Sequence, residues 1–168
     1  MVSDLILYRA LHPAWSFAPL SGKGASIKGG RWNRKNAPAL YLAFDPMTAL
    51  AEYNQDLEFH PVTLGAFAVS GARLANLCDD QALTALGIDK SIHNEPWFLY
   101  AVQGNEPPQW VICDTLAAQG FHGVIYPSAQ SPLGKCVALW CWNDGNGPSV
   151  SVSDSYNRLP LNQSSWHV

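Results

Sequence analysis

Charged residues are scarce in this 168-residue chain: they make up 14% of it, and the net charge is −3. A weakly acidic chain offers no positive surface to a phosphate backbone, so direct nucleic-acid binding is not expected. No apolar run approaches the roughly 20 residues that a membrane helix needs, so no membrane partner is expected either. The opening residues, MVSDLILYRALHP, lack the positive start and long apolar run of an export signal.

Several familiar motifs are also missing. The four cysteines form no C-x-x-C pair, which together with the lack of an export signal predicts reduced thiols and a cytoplasmic location. The five histidines show neither H-E-x-x-H nor zinc-type spacing with cysteine, so no metal site is predicted. SGKGAS (21–26) lacks the upstream glycine of a phosphate-binding loop and is interpreted as a flexible loop. Ser128 stands in YPSAQ rather than G-x-S-x-G, which does not favour a serine hydrolase.

What is present is a series of short apolar runs separated by helix signals. Asp45-Pro46 is a good helix start, with an N-cap followed by proline at the first helical position. From Asn143 onward the chain is rich in Ser, Asn, Gly and Asp, which indicates a polar tail over 143–168 with room for one edge strand at SVSVS. The rest predicts one α+β domain over 1–142, with central strands flanked by short helices. Strands are predicted at 4–11, 38–44, 62–70, 122–128 and 136–142, and helices at 46 to about 57, 79–87 and 108–120.

The segment KGGRWNRKNAPALYLAFDPMTALAEY (28–53) concentrates polar and aromatic groups, but each has an ordinary explanation when taken alone. On a helical wheel, Glu52 falls away from the side marked by Met47 and Leu50. Periodicity therefore favours a solvated glutamate. Surface-loop, core and turn positions would account equally for Arg31, Tyr41 and Ser128.

The order of the motifs changes this interpretation. The chain carries YRAL (8–11), GGRWN (29–33), ALYLA (39–43), TALAEY (48–53) and GFHGVIYPSA (120–129). This series closely resembles the RES-domain family, toxins of bacterial toxin–antitoxin pairs that are named for an arginine, a glutamate and a serine. The resemblance spans roughly residues 5–142. It implies a fold related to ADP-ribosyltransferases and an activity that destroys NAD⁺, with NAD⁺ as substrate and no further cofactor.

The resemblance also assigns the site residue by residue. The motifs depart from the family at Gln130, where arginine is frequent, and at Lys135-Cys136, where asparagine is frequent. Four residues match the catalytic positions: Arg31, Tyr41, Glu52 and Ser128. Residues of the YR and GGRWN motifs are assigned to NAD⁺ binding: Tyr8, Arg9, Gly30, Trp32 and Asn33.

These residue types suit the implied chemistry. A guanidinium holds two phosphate oxygens at once, so Arg9 and Arg31 would clamp the pyrophosphate. Cleavage of the nicotinamide–ribose bond passes through an oxocarbenium-like state, which the Glu52 carboxylate would stabilise. Tyr41 would stack on the nicotinamide ring, and Ser128 would donate to the carboxamide or the ribose.

Two classes of function follow. The first is an enzyme that cleaves NAD⁺ and passes ADP-ribose to water or phosphate, or, as a variant, to a macromolecule. The second is a catalytically silent nucleotide-binding or partner-binding module, which the intact set of four catalytic positions argues against. The resemblance further implies an antitoxin of the helix-turn-helix (Xre) type that blocks the pocket. It leaves open whether the protein is a monomer or a homodimer.

Overall fold

A seven-stranded mixed sheet lies at the centre of the structure, a computed structural model that describes residues 4–55 and 59–164. The strand order is β4-β5-β6-β2-β1-β3-β7, and neighbouring strands are antiparallel except for the parallel pair β4–β5. The strands are β1 (Leu5–Leu11), β2 (Leu40–Ala43), β3 (Thr63–Ser70), β4 (Leu74–Asn76), β5 (Gly123–Pro127), β6 (Lys135–Leu139) and β7 (Ser149–Val152). Strand β7 lies beyond residue 142 and adds an edge to the same sheet.

Short helices connect the strands, as the sequence predicted for this α+β fold. Two short 3-10 helices, Pro13–Trp15 and Lys90–His93, complete the described secondary structure. None of the helices in residues 4–55 and 59–164 has the length and apolar character needed to cross a bilayer. The α-helices are α1 (Lys23–Lys28), α2 (Pro46–Tyr53), α3 (Asp80–Leu86), α4 (Trp97–Val102) and α5 (Pro108–Ala118).

The two faces of the sheet bury two separate apolar clusters. Alternation along β6 shows how: Val137 packs with Leu7 and Phe67 on one face. Its neighbours Cys136 and Ala138 belong to the other cluster, because successive side chains of a strand point to opposite faces. That second cluster includes residues of α3 and α5 and lies on the face that carries the candidate site.

Helix α2 differs from its prediction in length and in orientation. Asp45 caps it as expected, since its carboxylate accepts from the Thr48 amide at 2.8 Å and from the Thr48 hydroxyl at 2.7 Å. The helix ends at Tyr53 rather than near Leu57, a residue outside the described part of the chain. Met47 is 71% exposed and Thr48 only 1%. The helical wheel, which placed the side of Met47 against the core, was therefore wrong about the buried side of α2. Burial of Thr48 is possible because Asp45 satisfies its hydroxyl.

The segment 21–26 is also different from its prediction as a flexible loop. Residues 23–28 form helix α1. The Gly29 amide donates a hydrogen bond to the Ala25 carbonyl at 3.0 Å and closes the last turn of this helix. Gly29 itself has a φ of +77°, a conformation that favours glycine and ends the helix. The GGRWN loop therefore begins directly at the end of helix α1.

Candidate functional site

A cleft of about 460 Å³ opens over the sheet face that carries Tyr8 and Tyr41. Its wall combines β1, β2, the loop after α1, and α2, which are distant in sequence. A volume of this size suits a small-molecule ligand. Most of the predicted site residues line it: Tyr8, Arg9, Gly30, Arg31, Tyr41 and Glu52.

Glu52 is held at this cleft through one oxygen. Its Oε1 accepts from the Ser128 hydroxyl at 2.5 Å and from the Ala129 amide at 3.1 Å. Its Oε2 has no hydrogen-bond partner among the described residues. The carboxylate is therefore fixed in orientation while one oxygen is left for a ligand, the arrangement required of a preorganised electrostatic group.

Ser128 holds the Glu52 carboxylate in place. Besides donating to Glu52, its hydroxyl oxygen accepts from the Gln130 amide at 3.1 Å and from the Ser131 amide at 3.0 Å. One turn before Glu52, the Thr48 hydroxyl lies 3.3 Å from the Ser131 hydroxyl. Helix α2 is thus tied at two levels to the turn that follows β5.

The GGRWN loop is held from below by Tyr41. The tyrosine hydroxyl accepts from the Trp32 amide at 3.0 Å and donates to Oδ1 of Asn33 at 2.6 Å. A side chain on Gly30 would collide with that hydroxyl, so only glycine lets the loop approach so closely. Burial raises the pKa of Tyr41 well above its usual value, and its hydroxyl stays protonated.

Two tryptophans hold the same loop through its carbonyl groups. The Trp110 indole donates to the Gly30 carbonyl at 2.8 Å, and the Trp140 indole donates to the Trp32 carbonyl at 2.7 Å. The Cys113 thiol lies 3.3 Å from the same Trp32 carbonyl. Because these bonds fix the backbone on both sides of Arg31, the loop presents that side chain from a rigid base.

The two arginines of the cleft differ in how they are engaged. Arg9 is partly buried and donates from Nη1 to the carbonyls of Pro19 and Ser21, at 2.8 and 3.2 Å. Burial lowers the pKa of Arg9 to about 10, which leaves it cationic at neutral pH. Arg31 makes no hydrogen bond or ion pair within the described residues. Within that part of the chain its guanidinium has no counter-ion and is available to an anionic ligand.

Three predicted roles do not fit this geometry. Trp32 and Asn33 are 0% and 2% exposed, so their side chains do not reach a ligand in the cleft. They support the loop instead: Asn33 donates to the carbonyls of Ala25, Arg34 and Ala37. Ser128 gives its one hydroxyl proton to Glu52, so it is not free to donate to a carboxamide or ribose.

Comparison with known families identifies the domain that carries this cleft. The model of the RES domain matches residues 6–162. The chain belongs to the RES domain family. Among solved structures it is similar to a chain in the crystal structure of the M. tuberculosis MbcT–MbcA toxin–antitoxin complex, with a TM-score of 0.57 and 21% identity over 82% of this chain and 74% of that one. No curated protein matches the sequence.

The family match confirms the resemblance and the fold expected from it. At 21% identity the structural likeness extends to the fold alone. The RES domain match reaches residue 162 and so includes β7. The division of the chain at residue 142 stays a prediction.

Both departures from the motif pattern lie at the cleft of this RES domain. Gln130 and Cys136 line it, on the side of the Ser128 turn. Burial raises the pKa of Cys136 to about 12, so the thiol is neutral and acts as a small apolar side chain in the lining of the cleft.

The sequence interpretation missed other residues of the wall. Tyr126 and Trp97 line the cleft, from β5 and α4, and so do Tyr53 and Gln55 near the end of α2. Tyr126 stands two residues before Ser128 in the YPS motif, and that spacing was the available signal, since alternate residues of a strand share a face. Nothing in the local pattern marks Trp97.

Proposed function

We propose that this protein is the toxin of a toxin–antitoxin pair and that it depletes NAD⁺ by cleaving the nicotinamide–ribose bond. The observation that carries the proposal is the state of two side chains in one cleft. Among the described residues, Glu52 is fixed through Oε1 with Oε2 unpartnered, and the Arg31 guanidinium in the same cleft has no hydrogen bond or ion pair. A negative group and a free cation in one cleft match a ligand with a developing positive centre near a pyrophosphate.

The chemistry assigns a role to each group. The pyrophosphate would bind Arg31 and the free side of the Arg9 guanidinium. As the C1′–N bond breaks, nicotinamide leaves as a neutral base with the bonding electron pair, and positive charge develops on the ribose. Glu52 stabilises that charge, and Ser128 keeps the carboxylate in place. Water or phosphate then adds to C1′. With water, one proton is released.

NAD⁺ is a substrate in this scheme, and no cofactor takes part. Tyr41 presents its ring to the cleft while its hydroxyl supports the loop, which suits it for stacking on nicotinamide. The catalytically silent alternative is disfavoured because Glu52 and Ser128 are both present and hydrogen-bonded to each other.

The partner would be a helix-turn-helix antitoxin that covers the cleft, and both proteins would act in the cytoplasm. Support for an antitoxin comes from the family and from the similar chain, which was crystallised within a toxin–antitoxin complex. Expression of the protein alone would then arrest growth, and co-expression of its helix-turn-helix antitoxin would restore growth.

The direct test is product analysis of NAD⁺ incubated with purified protein, with and without phosphate. Nicotinamide release with ADP-ribose as the second product indicates hydrolysis. ADP-ribose 1″-phosphate that appears only in phosphate indicates phosphorolysis. A protein substrate that becomes labelled would indicate transfer to a macromolecule. NAD⁺ that stays intact at high protein concentration contradicts the proposal.

A further inference from the structure

The apolar clusters of the described residues do not account for Trp97. It is the first residue of α4, a helix with no buried residue, and it belongs to neither apolar cluster of the sheet. Its indole N–H has no hydrogen-bond partner within the described residues. Phe98, against which it packs edge-on at 5.8 Å, is itself 61% exposed. Yet Trp97 is one of the residues that line the cleft, whereas Phe98 and Leu99 are not.

The position of Trp97 is nevertheless fixed by the protein. Its amide donates to the Glu95 carbonyl at 2.8 Å. The buried Gln109 of α5 donates to the same carbonyl at 3.0 Å and to the Ile92 carbonyl at 3.1 Å. The next residue of α5, Trp110, holds the Gly30 carbonyl. Helix α5 therefore anchors both the start of α4 and the GGRWN loop.

These anchors divide the cleft into two walls. Arg31 and Trp97 belong to the wall supported by α5, while Glu52 belongs to the wall formed by α2 and the Ser128 turn. In the proposed reaction, Glu52 takes the nicotinamide ribose and Arg31 takes the pyrophosphate. The second base of a dinucleotide would then lie beyond Arg31, on the wall that carries the half-buried Trp97.

We propose that Trp97 is the platform on which the adenine of NAD⁺ stacks. The inference rests on the proposed function and deepens it by assigning the far end of the substrate. An aromatic face binds any base, and stacking on such a face contributes about 1–3 kcal/mol per base. The site therefore selects for the presence of a second base more than for its identity.

The experiment compares two substrates in three variants. NAD⁺ carries the adenine, and nicotinamide mononucleotide lacks it while keeping the bond that breaks. Trp97→Leu removes the aromatic face, Trp97→Phe keeps a smaller one, and Leu99→Ala is the matched control, since Leu99 is 55% exposed on the same helix and does not line the cleft. We expect Trp97→Leu to lower kcat/KM for NAD⁺ by about 5-fold to 140-fold, through a higher KM. The value for nicotinamide mononucleotide stays unchanged, Trp97→Phe lies in between, and the control equals the parent protein.

The results that overturn the inference are distinct from those that overturn the proposed function. Equal losses on both substrates place Trp97 at the nicotinamide end or in the fold, and no loss on NAD⁺ removes it from the site. Should the parent protein cleave neither substrate, the proposed function fails, and calorimetric binding of ADP-ribose and ribose 5-phosphate still tests the platform. Stacking is supported if Trp97→Leu weakens the affinity for ADP-ribose and leaves the affinity for ribose 5-phosphate unchanged. An unchanged affinity for ADP-ribose refutes it.

Discussion

The hydroxyl of Ser128 donates to Oε1 of Glu52 at 2.5 Å, and this bond joins two residues 76 positions apart. It ties the last turn of α2 to the turn after β5. The serine is therefore a positioning residue: it acts on the substrate through Glu52 and has no proton left for a second acceptor. Two of the three residues that name the family thus form one unit.

Replacement of Ser128 tests that unit. Ser128→Ala leaves Oε1 with the Ala129 amide alone, so the carboxylate can rotate. A small misplacement of a catalytic group costs up to about 100-fold in rate. We expect kcat to fall by about 10-fold to 100-fold with a much smaller change in KM. Ser128→Thr, which keeps the hydroxyl, should recover part of the loss. A raised KM at unchanged kcat would instead indicate direct substrate contact by Ser128.

Arg31 provides a test of the phosphate clamp. Arg31→Lys keeps the charge but loses the planar fork that holds two oxygens. Steady-state kinetics should show a higher KM for NAD⁺ and reduced kcat/KM. Thermal stability should stay unchanged, because Arg31 makes no hydrogen bond or ion pair with residues 4–55 or 59–164 that the change would remove. Arg158→Lys, at an exposed site, is the control. Parent-like kinetics in a folded Arg31→Lys protein would return this arginine to the ordinary surface.

Gly30 tests the close approach of the loop to Tyr41. In Gly30→Ala the new methyl group collides with the Tyr41 hydroxyl and approaches Oδ1 of Asn33 to 2.7 Å. Overpacking of this kind costs about 1–3 kcal/mol of unfolding free energy. The matched control is Gly24→Ala in α1, where nothing lies within 4 Å and alanine favours the helix. Denaturant titration should therefore show opposite signs for the two variants. Equal stabilities would mean that the loop is not packed on Tyr41.

Asp45 gives the stability a defined dependence on pH. Hydrogen bonds from the Thr48 hydroxyl and then from the Thr48 amide lower the pKa of Asp45 below its usual value. Its contribution is therefore present above pH of about 4 and is lost as the pH falls through the lowered folded-state pKa. Asp45→Ala should lower the unfolding free energy by about 1 kcal/mol at neutral pH. That difference should shrink at acidic pH.

The control for this titration is Asp45→Asn, which keeps an acceptor for the Thr48 amide but does not ionise. Its unfolding free energy relative to Asp45→Ala should not vary with pH. A gap between the parent and Asp45→Ala that is constant from pH 7 to pH 3 would contradict the role of the ionised cap.

The central elements of the fold could be predicted because their local signals agree. Strand β6 also shows what the sequence could not predict. Both of its faces are apolar, so the run of apolar residues indicates the strand but not the face to which a side chain such as that of Val137 points. Helix α4 gave no usable signal because its six residues, WFLYAV, have no polar face to set a helical period. The three residues of β4 are too few to show alternation.

The site shows the same division between local and distant causes. Motif order indicated Arg31 and Glu52, but no local pattern connects the GGRWN loop to Trp110 or Trp140, which lie 80 and 108 residues from their partners. The helical wheel misjudged α2 because it treats threonine as polar. The Asp45 carboxylate satisfies Thr48 within the same turn, and Glu52 follows Thr48 onto the side that faces the Ser128 turn.

The most direct test of the account is turnover by Glu52→Gln at saturating NAD⁺, measured as nicotinamide release from correctly folded protein. The amide keeps the size of the side chain and removes the negative charge that would stabilise the oxocarbenium-like state. Glu106→Gln, which changes an exposed carboxylate paired with Arg34, is the control. We predict that kcat falls by about 10²–10³-fold in Glu52→Gln and stays at the parent value in the control. Turnover of Glu52→Gln within threefold of the parent protein would contradict the assignment of this cleft as the catalytic site.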